Sequence, residues 1–239
     1  MIRNILIFQF LIIIQCSCNK EENEVKVPTE PFYVTQFEPV IESISRNSNS
    51  EKQFQMEEYS FIGGYTQLHN NQDAYVICEK NGQIIWSKYF DRSLDDSKVS
   101  GIIAGGNDLF VAFSCTGGNT DFDATPGAFQ TSYGSGGGAK IVYLSRIEAL
   151  SGGILNATFI GCKLNNGNTN TLRVEDENPQ PLIINADGTL TFRATKAYDR
   201  ADGRLTPDIG PDDDCLVSGG RWVGVFDRDL SLISGDCLP

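Results

Sequence analysis

The sequence predicts an all-β chain: a propeller-like repeat of about three four-stranded antiparallel blades, forming an open or partial propeller. Three observations carry that prediction. Short apolar runs alternate with Gly, Asn and Asp turn residues along most of the chain. The same strand–turn–strand pattern returns in three places. No long stretch of helical periodicity follows the apolar N-terminus.

The chain opens with "MIRNILIFQFLIIIQCSCNKEENE". Arg3 supplies a positive start, and Ile5 to Ile14 form an apolar stretch broken by Gln9, too short for a stable bilayer span. Residues 1–17 therefore read as an export signal. Cys18, preceded by the small Ser17, is the lipidation candidate, because bulky Gln15 precedes Cys16. This segment resembles the signal of bacterial lipoproteins, in which cleavage before a cysteine accompanies its acylation. The resemblance implies a bacterial cell-envelope protein held at the outer membrane by an N-terminal lipid. The acidic "CNKEE" start resembles signals that route some such proteins to the cell surface. An ordinary secreted protein is the alternative reading. Residues 18–37 are polar and charged, carry Pro28 and Pro31, and read as a flexible tether.

The repeat domain is expected over residues 38–239, with blades at about 38–92, 93–163 and 164–239. In the first blade, "VIESIS" is expected to pair with "YSFIGGYT" across a long polar connection. "DAYVICEKNGQIIWSKYF" then turns at Asn81-Gly82, two residues that tolerate the positive φ of a type I′ hairpin. In the second, residues 99–104 of "VSGIIAGGNDLFVAFSC" pair with residues 109–115, and "AKIVYLSRIEALSGGILNATFIG" supplies the next hairpin. In the third, "PLIINADGTLTFRAT" turns at Ala186-Asp187-Gly188, and "RWVGVFDRDLSLIS" closes the meander. Runs such as "YVIC", "IVYL" and "WVGVF" are apolar on both faces, as expected of sheets that stack on one another.

The middle repeat, "GNTDFDATPGAFQTSYGSGGGAKIVYLSRI", resembles the bacterial SBBP-type β-propeller repeat. In that family a strand leads into a "DFPTTPGAFQ" connection, a Gly-rich loop and a strand of the "DAFVAKLD" type. The preceding "GIIAGGNDLFVAFSCTG" is similar to the family's "GIAVD…GNVYVTGYT" hairpin. The first repeat matches at its ends, and the third carries the divergent "YDRADGRLTPDIGPDDD". The resemblance implies propeller blades and no catalytic residues. Closed propellers use roughly four to eight blades. An open arc in one chain is favoured here, with a ring completed by a homo-oligomer, or pairing with another protein, as the alternatives.

Acidic residues number 31 against 19 basic ones, a formal net charge of −12, which argues against nucleic acid and against direct binding of anionic headgroups. Cysteines occur at Cys78, Cys115, Cys162, Cys215 and Cys237 beyond the N-terminal pair, without the spacing of a zinc site. Cys215 and Cys237 bracket the last hairpin and are the favoured disulfide.

The stretch "DFDATPGAFQTSYGSGGG" is the most conspicuous loop. It fails as a phosphate cradle, since "GSGGGAK" lacks the Gly-Lys-Ser/Thr ending and leads into a strand. Asp121 and Asp123 make a weak calcium start, because Thr125-Pro126 stand where further ligands belong. The architectural reading explains more: Pro126-Gly127 suit a type II turn, and Phe122 and Phe129 can pin the loop to the blade. Asp212, Asp213 and Asp214 are the other weak cation candidates, more simply a solvated loop. His69 lies in a polar connection, no "GxSxG" element exists, and Trp86 and Trp222 read as blade core. The expected function is a non-catalytic binding module for a protein or surface ligand, without a cofactor. A structural subunit of an envelope assembly is the alternative, and a hydrolase on a propeller scaffold the more remote one.

Overall fold

The computed structural model describes residues 37–68, 70–91, 93–116, 121–131, 140–164, 169–170, 172–174, 180–196, 203–205 and 221–238. The export signal, Cys18, residues 18–36 of the tether, His69, the Gly-rich stretch 132–139, Asp212, Asp213, Asp214 and Cys215 lie outside the described residues.

Every regular element described is a β-strand, apart from one 3-10 turn at Ser48–Ser50. The first sheet runs β1 (Lys52–Met56), β2 (Tyr59–Leu68), β3 (Asn71–Lys80), β4 (Gln83–Tyr89). The second runs β5 (Ser97–Gly105), β6 (Asp108–Thr116), β7 (Lys140–Glu148), β8 (Ile154–Ile160). Both are antiparallel meanders in sequence order. A small sheet then joins β9 (Cys162–Leu164), β10 (Thr169–Asn170) and β14 (Gly203–Leu205). The last sheet holds β11 (Leu172–Val174), β12 (Leu182–Ile184), β13 (Leu190–Lys196), β15 (Arg221–Phe226) and β16 (Leu232–Leu238). The architecture is all-β and open, with a propeller-like succession of four-stranded antiparallel sheets.

Strand periodicity explains the stacking. Along β6, Leu109, Val111, Phe113 and Cys115 join the core shared with the first sheet. The alternate residues Phe110 and Ala112 join the core shared with the last sheet. β7 divides in the same way, with Ile141 and Tyr143 on one side and Val142 and Leu144 on the other. Successive side chains point to opposite faces of a strand, so a run apolar at every position must be covered twice. The first sheet offers Phe61, Val76, Cys78 and Trp86 to the shared core. The last offers Leu190, Phe192, Ala194, Trp222 and Phe226. Trp86 also donates its indole N–H to the Ala149 carbonyl at 2.8 Å, joining β4 to the β7–β8 turn.

The predicted turns form where the backbone needs them. Asn81 and Gly82 take φ of +51° and +77°, the left-handed pair of a type I′ hairpin. Two strand expectations need correction. Residues 40–45 do not pair with β2; that place belongs to β1, through a two-residue turn at Glu57-Glu58 in which Met56 faces Tyr59. The alternation of "KQFQM" suits it, with Phe54 and Met56 packed on the core and Gln53 and Gln55 exposed. A tight hairpin closes with less loop entropy than the long connection would. The third meander also departs from four simple strands. The expected hairpin of β12 on β13 forms, Leu182–Ile184 against residues 190–192, and β11 adds a fifth strand on the same edge of β13, Leu172–Val174 against residues 194–196.

Residues 37–51 instead form a strap. Ile41 bridges Ser87 in parallel, the Glu42 amide donates to the Ser87 carbonyl and the Ser87 amide donates to the Val40 carbonyl, both at 2.9 Å. Ile44 then lies over Ile62, Tyr75 and Ile77 on the first sheet's outer face.

The doubly covered sheet should dominate stability. Phe113→Ala removes a ring that touches Phe90, Phe122 and Tyr143 and is expected to cost about 3–5 kcal/mol in denaturant unfolding. Ile233→Ala, at a residue 58% exposed on β16, should change it by about 0.5 kcal/mol or less.

Candidate functional surface

The meanders give each sheet two unlike ends. At one end the strands are joined by tight turns: residues 57–58, 81–82, 106–107, 149–153, 185–189 and 227–231. At the other lie the connections that hold residues 93–96 and 121–131, beside the short step from β2 to β3.

Within the second of these, the question posed by the "DFDATPGAFQ" stretch has a structural answer. The loop covers the free edge of β8. The Thr125 amide donates to the Ala157 carbonyl at 2.9 Å, and the Ala157 amide donates to Thr125 Oγ1 at 2.8 Å. Further along, the Phe159 amide donates to the Gln130 carbonyl, and the Gln130 amide donates to Thr158 Oγ1, both at 2.9 Å. Between these anchors Thr125 to Ala128 make the predicted type II turn, with the Ala128 amide on the Thr125 carbonyl and Gly127 at φ +84°. Phe122 inserts into the core on one side of the second sheet and Phe129 packs on the core of the other. The rings sit 4.5 Å from Tyr143 and 5.9 Å from Phe226, centroid to centroid. An edge strand left bare invites pairing with other chains, and this loop removes that option along β8.

Asp121 and Asp123 flank Phe122 on the solvent side. Asp123 contributes its backbone carbonyl, which accepts the Tyr143 hydroxyl at 2.8 Å. Among the described residues no group of three or more His, Cys, Asp or Glu side chains is placed to hold a metal ion. Trp86 and Trp222 are fully buried, in the two cores. Cys78 and Cys115 are free, buried thiols. Burial foremost pushes Cys78 up to about 12 and Cys115 higher still, so neither is a nucleophile near neutrality. Cys237 lies on β16 with its backbone opposite Trp222.

The first long-end connection presents a different surface. Asp91 accepts the Ser93 amide at 2.8 Å, and the Ser93 hydroxyl oxygen accepts the Asp95 amide at 3.2 Å. Asp96 ties this connection to the start of β3 by accepting the Gln72 amide at 2.9 Å, and its own amide donates to Thr116 Oγ1 at 3.0 Å. On this braced backbone Leu94 is 89% exposed, and Leu68, at the end of β2, is 42% exposed. An apolar side chain held out by a stiff loop is a contact surface with little entropy left to lose on binding.

Two charge clusters escaped the sequence reading. Asp108 is nearly buried between Arg146 Nε at 2.9 Å and Arg228 Nε at 2.6 Å, and Arg146 Nη1 reaches Asp229 at 3.0 Å and Asn156 at 3.1 Å. The Arg146 Nε contact is an ion pair without hydrogen-bond alignment, whereas the Arg228 contact is a directed bond. The cluster fastens β6 and β7 to the β15–β16 turn, where buried Leu230 is held at φ +62°. The signal was present in a charged Arg146 inside the apolar "IVYLSRIE". The second cluster latches the strap. Arg46 forks onto Glu51 at 2.7 and 2.8 Å and reaches Glu79 at 3.3 Å, and the Tyr75 hydroxyl donates to Glu51 at 2.7 Å. The Arg46 hydrogen bond is the main influence holding the Glu51 carboxyl below its usual value of 4.5, and burial opposes it.

The fold and these surfaces define the class: an open, propeller-like stack of antiparallel sheets in which the edges of β4 and β8 are covered by other segments of the chain. No protein-family model matches the chain, and no curated protein matches it.

Two measurements test the charge clusters. Asp108→Ala strands Arg146 in a nearly buried site and is expected to cost about 3 kcal/mol in denaturant unfolding. A carboxyl with a lowered folded pKa adds stability above its unfolded value, and that stability is lost as pH falls through the folded one. Thermal unfolding of the wild type should therefore weaken below pH 4.5 by more than that of Glu51→Gln.

Proposed function

We propose that this chain is a non-catalytic binding module of the bacterial cell envelope, carried at the outer membrane by a lipid on Cys18. Its repeats are read as blades of the SBBP type. The long-connection end meets a protein or surface ligand, with Leu94 and Leu68 as the apolar contacts. One observation carries this reading: Leu94 is 89% exposed on a connection whose backbone is braced by Asp91, Ser93 and Asp96. Single exposed apolar residues are common on protein surfaces, and what marks this one is the side-chain bracing of the connection that carries it. Rigid scaffolds that gather longer loops at one end are a recurrent way of presenting binding residues. The acidic balance of the chain favours a neutral or basic ligand surface.

A photo-crosslinking side chain placed at Leu94, in the full chain expressed in cells, should give a discrete adduct. The same probe at Asp187, in the β12–β13 turn at the opposite end, should not. Equal labelling from both ends, or none from Leu94, would remove the support for this reading. Protease treatment of intact and permeabilised cells would separately establish which side of the outer membrane the domain occupies. Degradation in neither sample, or an unlipidated N-terminus by mass spectrometry, would count against the envelope placement.

A further inference from the structure

The strap of residues 37–51 does more than finish the first sheet. Each internal sheet face of this chain is covered by another sheet: the first packs on the second, and the second on the last. The outer face of the first sheet has a smaller apolar centre, Ile62, Tyr75 and Ile77, almost completely buried, and a single extended strap covers it. The same strap takes the free edge of β4 through its backbone bonds with Ser87. Side-chain bonds hold it along its length. The Tyr89 amide donates to Glu42, Thr66 Oγ1 donates to the Ser45 carbonyl at 2.6 Å, and the Asn47 amide donates to the Tyr75 hydroxyl at 3.2 Å. At the far side of the stack, the last sheet turns out a face of Thr191, Arg193, Thr195, Val223 and Val225, half-buried and mixed in polarity.

We propose that the strap caps a self-association face, and that the partner excluded by it is a second copy of this chain. The argument is continuity. The sheets stack in one sense, first on second and second on last, so one more step in that sense sets the last sheet of one copy against the first sheet of the next. Such head-to-tail contact does not use the same patch twice, and it continues into rings or open filaments unless something stops it. The strap stands on the surface that the step requires. Charge agrees with the pairing: the outward face of the last sheet carries Arg193, with Arg221 exposed beside it, while the first sheet's outer side holds Glu79. The strap begins where the tether of residues 18–36 ends, so whatever holds the N-terminus acts on the cap. This surface is separate from the connection bearing Leu94, and the inference does not rest on a ligand there.

The test uses the full chain and sedimentation velocity over a range of concentrations, with amide exchange at Ser87 and Tyr89 reporting the strap. The wild type should stay monomeric with both amides protected. Ile44→Asp places a charge beneath the strap; exchange at Ser87 should rise about tenfold or more, and the mass should climb to twice the monomer or beyond. A peptide of residues 37–51 should return that variant to a monomer, and adding Arg193→Glu should reduce its association. If Ile44→Asp loses its strand signal in circular dichroism, Tyr75→Phe combined with Glu51→Gln loosens the latch with little change of core volume, and the same readings decide. A wild type that already associates, a released strap without association, or association indifferent to both the peptide and Arg193→Glu would overturn the proposal.

Discussion

Burial of the second sheet on both faces is the constraint on which the rest of the structure depends. Its strands β6 and β7 have almost no polar position to spend on solvent, because odd and even residues enter different cores. That arrangement removes the usual protection against slipped pairing. In a sheet with one wet face, a shift of one residue would expose the apolar set, whereas here it would exchange one apolar set for another. Register therefore has to be held from outside the strands. Phe122 and Phe129, one loop addressing two cores, do so at β8. The Asp108–Arg146–Arg228 contacts do so at the junction with the last sheet, where a slip would strand a nearly buried charge.

Edges impose the second demand. β4 and β8 occupy the same place in their meanders, and each is covered by a segment that is not a full strand. Both covers use a few backbone bonds and a hydroxyl on the edge strand: Ser87 Oγ donates to the Glu42 carbonyl at 2.6 Å, and Thr158 Oγ1 stands beside the Gln130 amide and carbonyl. The covers come from different parts of the chain, the strap in one case and the β6–β7 connection in the other. Common function from unlike sequence indicates that the edge, rather than ancestry of the cover, sets the requirement. With the β4 and β8 edges and the inner faces covered in this way, the braced connection bearing Leu94 is left to meet an outside ligand. That is why the proposed binding surface lies there and not in the sheets.

The polar groups divide along the same line. Asp91, Asp96, Glu51 and Asp108 each brace a segment of backbone or a strap, and the two described thiols are sealed in the first core. Aspartates near one another in the sequence thus answer to different needs: Asp123 offers its carbonyl to Tyr143, and Asp187 accepts the amide and hydroxyl of Thr189 in a turn.

Much of this fold was legible in the sequence, and the reason is local. A strand apolar on both faces, as in "IVYL", carries its two-sided burial in its own residues. Asn81-Gly82 and Pro126-Gly127 encode their turns because few residues tolerate those backbone angles. Phe122 and Phe129 announced a pinned loop by standing in an otherwise polar stretch. What tertiary structure alone decided was partnership over distance. "VIESIS" has the composition of a strand, and only the prior claim of "KQFQM" on β2, through a tighter turn, sends it across β4 as a strap. Arg146 meets Arg228 and Asp229 around Asp108 although the turn lies some eighty residues further along the chain. Leu94 is exposed because no other described element comes to cover it. Turn type and face polarity are properties of a few adjacent residues, whereas coverage and ion pairing depend on which segments the completed stack brings together.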